Sequence, residues 1–320
     1  MTVQTQTQAL KRLCRMLQQG LFVGLLSWPL VPSLALANDA LNQPLRSIGI
    51  SVADLGNPFF VELVDAVIQR ANELNDGQPV EVVVRSDAYD LRRQVRQLDD
   101  FIAQKVDLII LTAADEYKIA PVVAKAQRAG IKVIAVDVNA HGADATITTD
   151  NVQAGVVACE RLAQAIGYQG QFVIINGVSV SSVLERVAGC KSAIHRYPEI
   201  TLLSDRLNGT GSQEGGMEAM TYLMEAYQHL DAVFAINDPT AYGALMAAQQ
   251  AGRDEFVLAS VDGSNFAIDT IQQPNLWIAT AVQRPRLMAE KAVEIGLALL
   301  KGEEVRQRFI LIPAQLAEKP

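Results

Sequence analysis

Short apolar runs alternate with segments of helical periodicity along the chain from Ser47 onward. The first run, SIGISVA, precedes FFVELVDAVIQRANEL, whose apolar residues recur at the three- and four-residue intervals of one helix face. Further strand-like runs lie at 80–86, 107–112, 131–137, 171–177, 201–205, 231–237, 256–262 and 277–283. Helical segments lie between them, among others at 90–104, 116–129, 184–196, 214–228 and 239–251. Strands that are apolar on both faces and alternate with helices predict parallel sheets covered by helices on both sides.

The order of these segments repeats. The run VDLIIL recurs as LDAVFA, and the strand that ends at Asp137 recurs as a strand that ends at Asp262, 125 positions later. This repetition predicts an α/β protein made of two similar doubly wound parallel-sheet lobes.

Polar and aromatic residues follow several of the predicted strands. Ligands of parallel α/β sheets bind beyond the carboxyl ends of the strands. Asp137 and Asp262 end equivalent strands, Asn57 and Phe59 follow the first strand, and Asn237 follows a strand of the second copy. If the two copies face each other, we expect these side chains to meet in one cleft.

The first 37 residues have a different character. They hold three basic residues and no acidic one, and they continue into LFVGLLSWPLVPSLALA. A basic start, an apolar stretch and the ending Ala35-Leu36-Ala37 predict a secretory signal peptide that is cleaved near Ala37. A membrane anchor is the alternative, but two prolines interrupt an apolar run that is already short for a membrane span of about 20 residues.

Charge argues against several partners. The chain has 35 acidic and 27 basic residues, with a formal net charge of −8. An acidic protein without a basic cluster is a poor binder of nucleic acids or anionic membranes. No further stretch predicts direct membrane insertion.

Two cysteines remain after the predicted cleavage, Cys159 and Cys190, and both lie in apparent helices among small apolar residues. An exported protein could pair them, but their surroundings favour buried free thiols. Their spacing matches no metal or thiol-redox motif.

The sequence predicts no catalytic residue, no metal site and no cofactor. The three histidines are scattered without ligand or triad spacing. The segment GTGSQEGG lacks the order of a dinucleotide or phosphate loop, and NGVSVSSV is not a nucleophile elbow.

A binding set remains, which combines amides, carboxylates, an aromatic ring and a guanidinium: Asn57, Phe59, Asp137, Arg186, Asn237, Asp262 and Gln283. Such a set suits a neutral ligand rich in hydroxyls, because each hydroxyl both donates and accepts. The aromatic face would cover the apolar side of a sugar ring. The alternatives are that the two aspartates cap turns and that Arg186 makes a surface ion pair. Periodicity places Phe60 in the core.

Several motifs carry a family resemblance: NPFF, VIAVD, the pair ER followed by glycine, VFAINDPTAYGAL, VDG and TAVQRP. In this order they resemble the bacterial periplasmic sugar-binding proteins of the ribose-binding type, from about Ser47 to the C-terminus. The resemblance implies two lobes joined by three crossover segments, as in type I periplasmic binding proteins. The implied lobes are 46–149 plus 285–312 and 150–284 plus 313–320, with crossovers near Thr149–Asn151, Gln283–Pro285 and Ile312–Ala314. The sequence is also similar to the sensor core of lactose-repressor-type regulators, although here the predicted signal peptide stands where those carry a DNA-binding segment.

The resemblance also implies ligand contacts from Asn57, Phe59, Phe60, Asp137, Arg186, Asn237, Asp262 and Gln283. This gives Phe60 a ligand role that its periodicity does not predict. Two positions depart from the ribose pattern: Val138 stands where a ribose binder has arginine, and the loop Asn208–Gln213 has no aromatic residue, with Thr210 as the nearest match. Another pentose, a hexose or a small polyol therefore fits as well as ribose.

The predicted function follows from these features. We expect a monomeric periplasmic binding protein that delivers a monosaccharide or polyol to the membrane permease of an ATP-driven (ABC) importer. One alternative is a receptor module that presents its ligand to a membrane sensor in chemotaxis or autoinducer signalling. The other is a sugar-modifying enzyme on the same fold.

Overall fold

The computed structural model describes residues 44–75 and 77–319. The predicted signal peptide at 1–37 lies outside the described residues. Within the described ranges, none of the helices combines the length and the apolarity that a membrane crossing requires.

The strands and helices alternate along the chain as the hydrophobic pattern predicts. The strands are β1 (Ser47–Val52), β2 (Glu81–Ser86), β3 (Leu108–Leu111), β4 (Lys132–Val136), β5 (Ala145–Thr149), β6 (Gly170–Asn176), β7 (Ile200–Asn208), β8 (Ala232–Ala235), β9 (Val257–Asp262), β10 (Trp277–Val282), β11 (Phe309–Ile312) and β12 (Gln315–Glu318). The helices are α1 (Pro58–Leu74), α2 (Leu91–Gln104), α3 (Ala120–Arg128), α4 (Asn151–Ala165), α5 (Ser181–Ile194), α6 (Gln213–Ala226), α7 (Asp238–Ala251), α8 (Asn265–Ile271) and α9 (Pro285–Leu300).

The strands form two six-stranded sheets whose orders correspond, β11-β5-β4-β3-β1-β2 and β12-β10-β9-β8-β6-β7. We call the first sheet with its helices the N-lobe and the second the C-lobe. Neighbouring strands run parallel, except that β12 is antiparallel to β10. Strands β4 and β9 occupy equivalent places. The prediction of two similar parallel-sheet lobes is therefore confirmed.

The chain passes between the two sheets three times. The passages lie between β5 and α4, between β10 and α9, and between β11 and β12. Each passage is only one or two residues long, so three short connections join the lobes. The residue limits of the lobes given above stay a prediction.

Helix α1 shows how the sequence builds an element that serves both core and cleft. Asn57 caps it by accepting a hydrogen bond from the backbone N–H of Phe59, and Pro58 occupies a first-turn position that needs no amide hydrogen. The apolar face predicted from periodicity is buried against the N-lobe sheet and α9. The capped end points to the carboxyl end of β1, where the cleft lies.

The helix predicted at 116–129 begins four residues later, at Ala120. The preceding residues form a turn instead, in which the carboxylate of Asp115 accepts hydrogen bonds from the backbone N–H groups of Tyr117 and Lys118. Aspartate offers the backbone this local alternative to a helix.

The expectation of free thiols is wrong, because Cys159 and Cys190 form a disulfide between α4 and α5. A Cβ atom on Gly155 would lie 2.1 Å from the carbonyl oxygen of Arg186, and one on Gly189 would lie 2.1 Å from that of Val152. Only glycine allows two helix backbones to meet this closely. Each cysteine lies one helical turn beyond such a contact, and the two Cα atoms are 5.1 Å apart, a distance that a disulfide spans.

Replacing both cysteines by alanine should lower the free energy of unfolding by about 2–4 kcal/mol, because the cross-link restricts the unfolded chain. Urea denaturation of the mature protein, followed by circular dichroism, measures this change. Reductant should lower the midpoint of the wild type and leave the double variant unchanged. Equal midpoints for the oxidised wild type and the variant would show that the cross-link does not stabilise the fold.

Candidate functional site

All eight predicted ligand residues line one cavity between the lobes. The empty space within it, part of it open to solvent, is about 370 Å³. The N-lobe contributes Asn57, Phe59, Phe60 and Asp137, and the C-lobe and its connection contribute Arg186, Asn237, Asp262 and Gln283. Four of them, Asp137, Asn237, Asp262 and Gln283, lie at or just beyond the carboxyl ends of strands, where the topology of parallel sheets places ligands. Their role as ligand contacts stays a prediction.

The two phenylalanines at the start of α1 serve the cavity and the core at once. Their ring centroids are 5.1 Å apart and the ring planes are nearly perpendicular. Both side chains are buried in the N-lobe core and both line the cavity. The periodicity that places Phe60 in the core and the resemblance that places it in the site are therefore compatible.

Arg186 on α5 is buried with 4% of its surface exposed, so the interpretation as a surface ion pair is wrong. Its Nε donates to Asn151 Oδ1 at 2.9 Å, and its Nη1 donates to the carbonyl oxygen of Ile236 at 3.0 Å. These two neutral acceptors fix the plane of the guanidinium at the wall of the cavity.

Two carboxylates, one from each lobe, face this guanidinium. Arg186 Nη1 lies 3.5 Å from Asp262 Oδ1, and Nη2 lies 3.9 Å from Asp137 Oδ1. Both distances exceed the roughly 2.7–2.9 Å of a hydrogen-bonded ion pair. Asp137 Oδ1 and Asp262 Oδ2 are buried without a hydrogen-bond partner. Buried polar atoms of this kind are rare and need an explanation.

The backbone at both aspartates is unusual. The backbone φ angle is 63° at Asp137 and 130° at Asp262, values that residues other than glycine rarely adopt. Neither carboxylate accepts a hydrogen bond from a backbone N–H within the described part of the chain. The turn-capping interpretation is therefore wrong for both residues, and the strain is of the kind that collects at functional sites.

Burial raises the pKa of both carboxyl groups. For Asp262 the pKa rises from 3.8 to about 8, because burial outweighs the opposing charge of Arg186, and the nearby carboxylate of Asp238 adds to the rise. For Asp137 burial raises the pKa to about 6, again against Arg186. Donors that reach these oxygens would stabilise the ionised forms.

Gln283 joins the cavity to the connections between the lobes. Its Nε2 donates to Asp262 Oδ1 at 2.8 Å, and its Oε1 accepts from the hydroxyl of Thr149 at 2.6 Å. Thr149 ends β5 at the first connection, and Gln283 lies in the second. The Asp262 carboxylate is thus one hydrogen bond from the second connection and two from the first.

Asn237 caps α7 and also fixes the loop that precedes α6. Its Oδ1 accepts from the backbone N–H of Thr240 at 3.1 Å, and its Nδ2 donates to the carbonyl oxygen of Gly211 at 2.9 Å. Gly211 itself lines the cavity. The loop without an aromatic residue therefore lies at the site, as the resemblance implies.

Sequence reasoning missed other residues that line the cavity, above all Tyr89. Tyr89 follows β2 and lies outside every periodic segment, and only its position after a parallel strand could have indicated a place in the site. Val138 is not among the residues that line the cavity; it is 1% exposed and packs in the apolar core.

A model of the periplasmic binding protein domain matches residues 48–304 of this chain. The chain belongs to this family. Among curated relatives, the ribose import binding protein RbsB of Bacillus subtilis is 29% identical over 289 residues, which are 89% of this periplasmic binding protein and 91% of the relative. The xylitol-binding protein of Mycolicibacterium smegmatis is 27% identical over 270 residues, or 83% and 76% of the two chains.

Solved structures share the two-lobed fold of this periplasmic binding protein. A solute binding protein of an ABC transporter from Mycobacterium smegmatis, with bound glycerol, superposes with a TM-score of 0.78 at 26% identity, over 86% of this chain and 94% of its own. A periplasmic solute binding protein from Actinobacillus succinogenes, with bound D-allose, gives a TM-score of 0.79 at 24% identity, over 86% and 98%. The second likeness shows the fold alone.

The raised pKa values predict the pH dependence of stability without ligand. The folded protein holds the Asp262 and Asp137 protons to higher pH than the unfolded chain does, so the stabilising contribution is full below about pH 4 and is lost as pH rises through about 6 and 8. The unfolding free energy of Asp262→Asn should therefore fall less between pH 5 and pH 8 than that of the wild type. Urea titrations at several pH values measure it.

The matched change Asp254→Asn, at an exposed aspartate of the same lobe, serves as the control. It should leave the pH dependence as in the wild type. Parallel curves for the wild type and Asp262→Asn would contradict the raised pKa of Asp262.

Proposed function

We propose that this periplasmic binding protein captures a monosaccharide or small polyol between its lobes and delivers it to the membrane permease of an ABC importer. The proposal rests on one observation above all. Asp137 Oδ1 and Asp262 Oδ2, from opposite lobes, are buried acceptors without a partner that face one cavity. A ligand with several hydroxyl donors matches both.

The rest of the cavity fits the same ligand chemistry. Arg186 supplies a fixed cationic donor, and Asn57 and Asn237 supply amide groups that are already oriented by capping a helix. The two phenylalanine rings line the cavity and would form an apolar wall for the C–H face of a sugar. The single guanidinium faces two carboxylates, which disfavours an anionic ligand.

Lobe closure would couple binding to delivery. A ligand that bonds Asp137 of one lobe and Asp262 of the other makes its full set of contacts only when the lobes are closed. It therefore shifts the population toward the closed state, in the hinge motion of periplasmic binding proteins. The three short connections between the lobes are the segments where such a rotation would take place.

The relatives support a polyhydroxylated ligand without selecting one. The similar proteins are named for ribose, xylitol and D-apiose. In this chain Val138 is a core residue, so the arginine of the ribose pattern has no counterpart there. A pentose, a hexose or a polyol remains within the proposal.

We also propose that the bound ligand leaves unchanged. No histidine or cysteine lines the cavity in the part of the chain that the structure describes. Both carboxyl groups face Arg186, an arrangement that suits the acceptance of hydrogen bonds from ligand hydroxyls.

Calorimetric titration against pentoses, hexoses and polyols tests the proposal, with a thermal-shift screen to select ligands, because a bound ligand raises the melting temperature. Asp262→Asn should weaken the best ligand about tenfold or more, since hydrogen bonds to a charged group contribute roughly 1.5–3 kcal/mol. The exposed change Asp254→Asn should leave the affinity unchanged. A wild type that binds none of these compounds would refute the proposed function.

Export is the second part of the proposal, and it is supported by the basic, apolar and Ala-Leu-Ala order of residues 1–37. Mass spectrometry of the protein from the periplasm should find Asn38, or a residue within a few positions of it, at the N-terminus. Accumulation of the chain in the cytoplasm with Met1 or Thr2 at its start would contradict cleavage.

A further inference from the structure

The turn after β2 holds two consecutive residues in the left-handed region. Ala88 has φ 52° and Tyr89 has φ 59°. Neither residue is a glycine, and neither has the short polar side chain that eases this conformation. Two such residues in sequence persist only where the surroundings fix them.

A buried polar network beneath the turn fixes this conformation. Asp87, fully buried, accepts a hydrogen bond from the backbone N–H of Tyr89 at 2.8 Å. The other carboxylate oxygen of Asp87 accepts from Gln94 Nε2 at 2.7 Å and from the hydroxyl of Ser51 at 3.3 Å. The backbone N–H of Ala88 also donates to the carbonyl oxygen of Ala53 at 2.8 Å. The carboxylate therefore anchors the turn to β1 and α2.

The turn directs Tyr89 into the cavity between the lobes. The side chain packs against two clusters of buried apolar residues. One cluster belongs to the N-lobe, and the other contains residues of both lobes. Its hydroxyl oxygen lies 3.9 Å from the point where a Cβ atom on Gly211 would stand. Tyr89 thus reaches from the N-lobe to the loop that has no aromatic residue.

The hydroxyl of Tyr89 is a hydrogen-bond donor at the cavity that no protein acceptor uses among the described residues. Burial, followed by the charges of Asp137 and Asp262, raises the pKa of this hydroxyl, so it keeps its proton throughout the working range of pH. Its oxygen makes no hydrogen bond to another protein atom among the described residues. Tyr89 as a whole is only partly buried, so its unpartnered hydroxyl is accessible to a ligand atom in the cavity.

We propose that Tyr89 determines ligand specificity in this site. Its ring supplies, from the N-lobe, the second aromatic wall that the loop Asn208–Gln213 does not supply from the C-lobe, and its hydroxyl donates to a ligand oxygen. This role rests on the proposed function, because it requires a polyhydroxylated ligand in the cavity.

Tyr89→Phe and Tyr89→Ala, titrated by calorimetry against the pentoses, hexoses and polyols that bind the wild type, test this role. Tyr89→Phe keeps the ring and should weaken the best ligand about 3- to 10-fold, the effect of one neutral hydrogen bond. It should also change the order of preference, because ligands that do not reach the hydroxyl lose nothing. Tyr89→Ala should weaken all ligands that contact the ring more strongly.

Tyr222→Phe is the matched control, because Tyr222 is 59% exposed on α6. Ligand addition should perturb the near-ultraviolet absorption of tyrosine in the wild type and in Tyr222→Phe, and this signal should be lost in Tyr89→Phe. Melting temperatures report whether each variant is folded.

Three results would overturn the role of Tyr89, and they are distinguishable. If the wild type binds ligand and Tyr89→Phe keeps every affinity and their order, only the specificity role falls. An equal loss for all ligands together with a lower melting temperature would assign Tyr89 a structural role instead. A wild type that binds no sugar or polyol refutes the proposed function and this role together.

Discussion

A buried guanidinium that faces one carboxylate from each lobe is the constraint on which the cleft depends. An uncompensated charge in such a place is costly, so Arg186 requires the acceptors that surround it. It reaches them because α5 packs directly against α4, backbone to backbone, through Gly155 and Gly189. The helix pair thus holds Arg186 against Asn151, which accepts a hydrogen bond from its Nε. At 3.5 and 3.9 Å the contacts with the two carboxylates leave acceptor capacity for a third group.

The same residues connect the cleft to the segments that join the lobes. Asn151 accepts from Arg186 and donates to the carbonyl oxygen of Thr149, while Gln283 bonds both Thr149 and Asp262. Side chains that hold the charged groups therefore also hold the ends of two connections. A ligand bound at these charged groups, as proposed, would therefore act on the same hydrogen bonds that hold the ends of the two connections.

The sequence predicted what depends on periodicity and missed what depends on distance or backbone conformation. Alternation of apolar runs gave the two sheets, and the repeated strand ends gave the equivalence of Asp137 and Asp262. The pairing of Cys159 and Cys190 was missed, because the separation of two helices depends on which residues meet between them. Tyr89 was missed because its direction depends on the left-handed backbone of Ala88 and Tyr89, and hydrophobic periodicity does not predict backbone conformation in a turn. The strands β5, β11 and β12 lie outside the predicted runs; β11 and β12 are edge strands of their sheets and are less buried than the central strands.

The disulfide between α4 and α5 makes the position of the Arg186 helix dependent on the redox conditions around the protein. Cys190 lies one turn from Arg186 on α5, and Cys159 lies on the helix that begins with Asn151. Disulfides form and persist in oxidising surroundings and are rare in the cytosol. With export as proposed, the disulfide would form after translocation, and chains kept in a reducing compartment would lack the bond between α4 and the helix that carries Arg186.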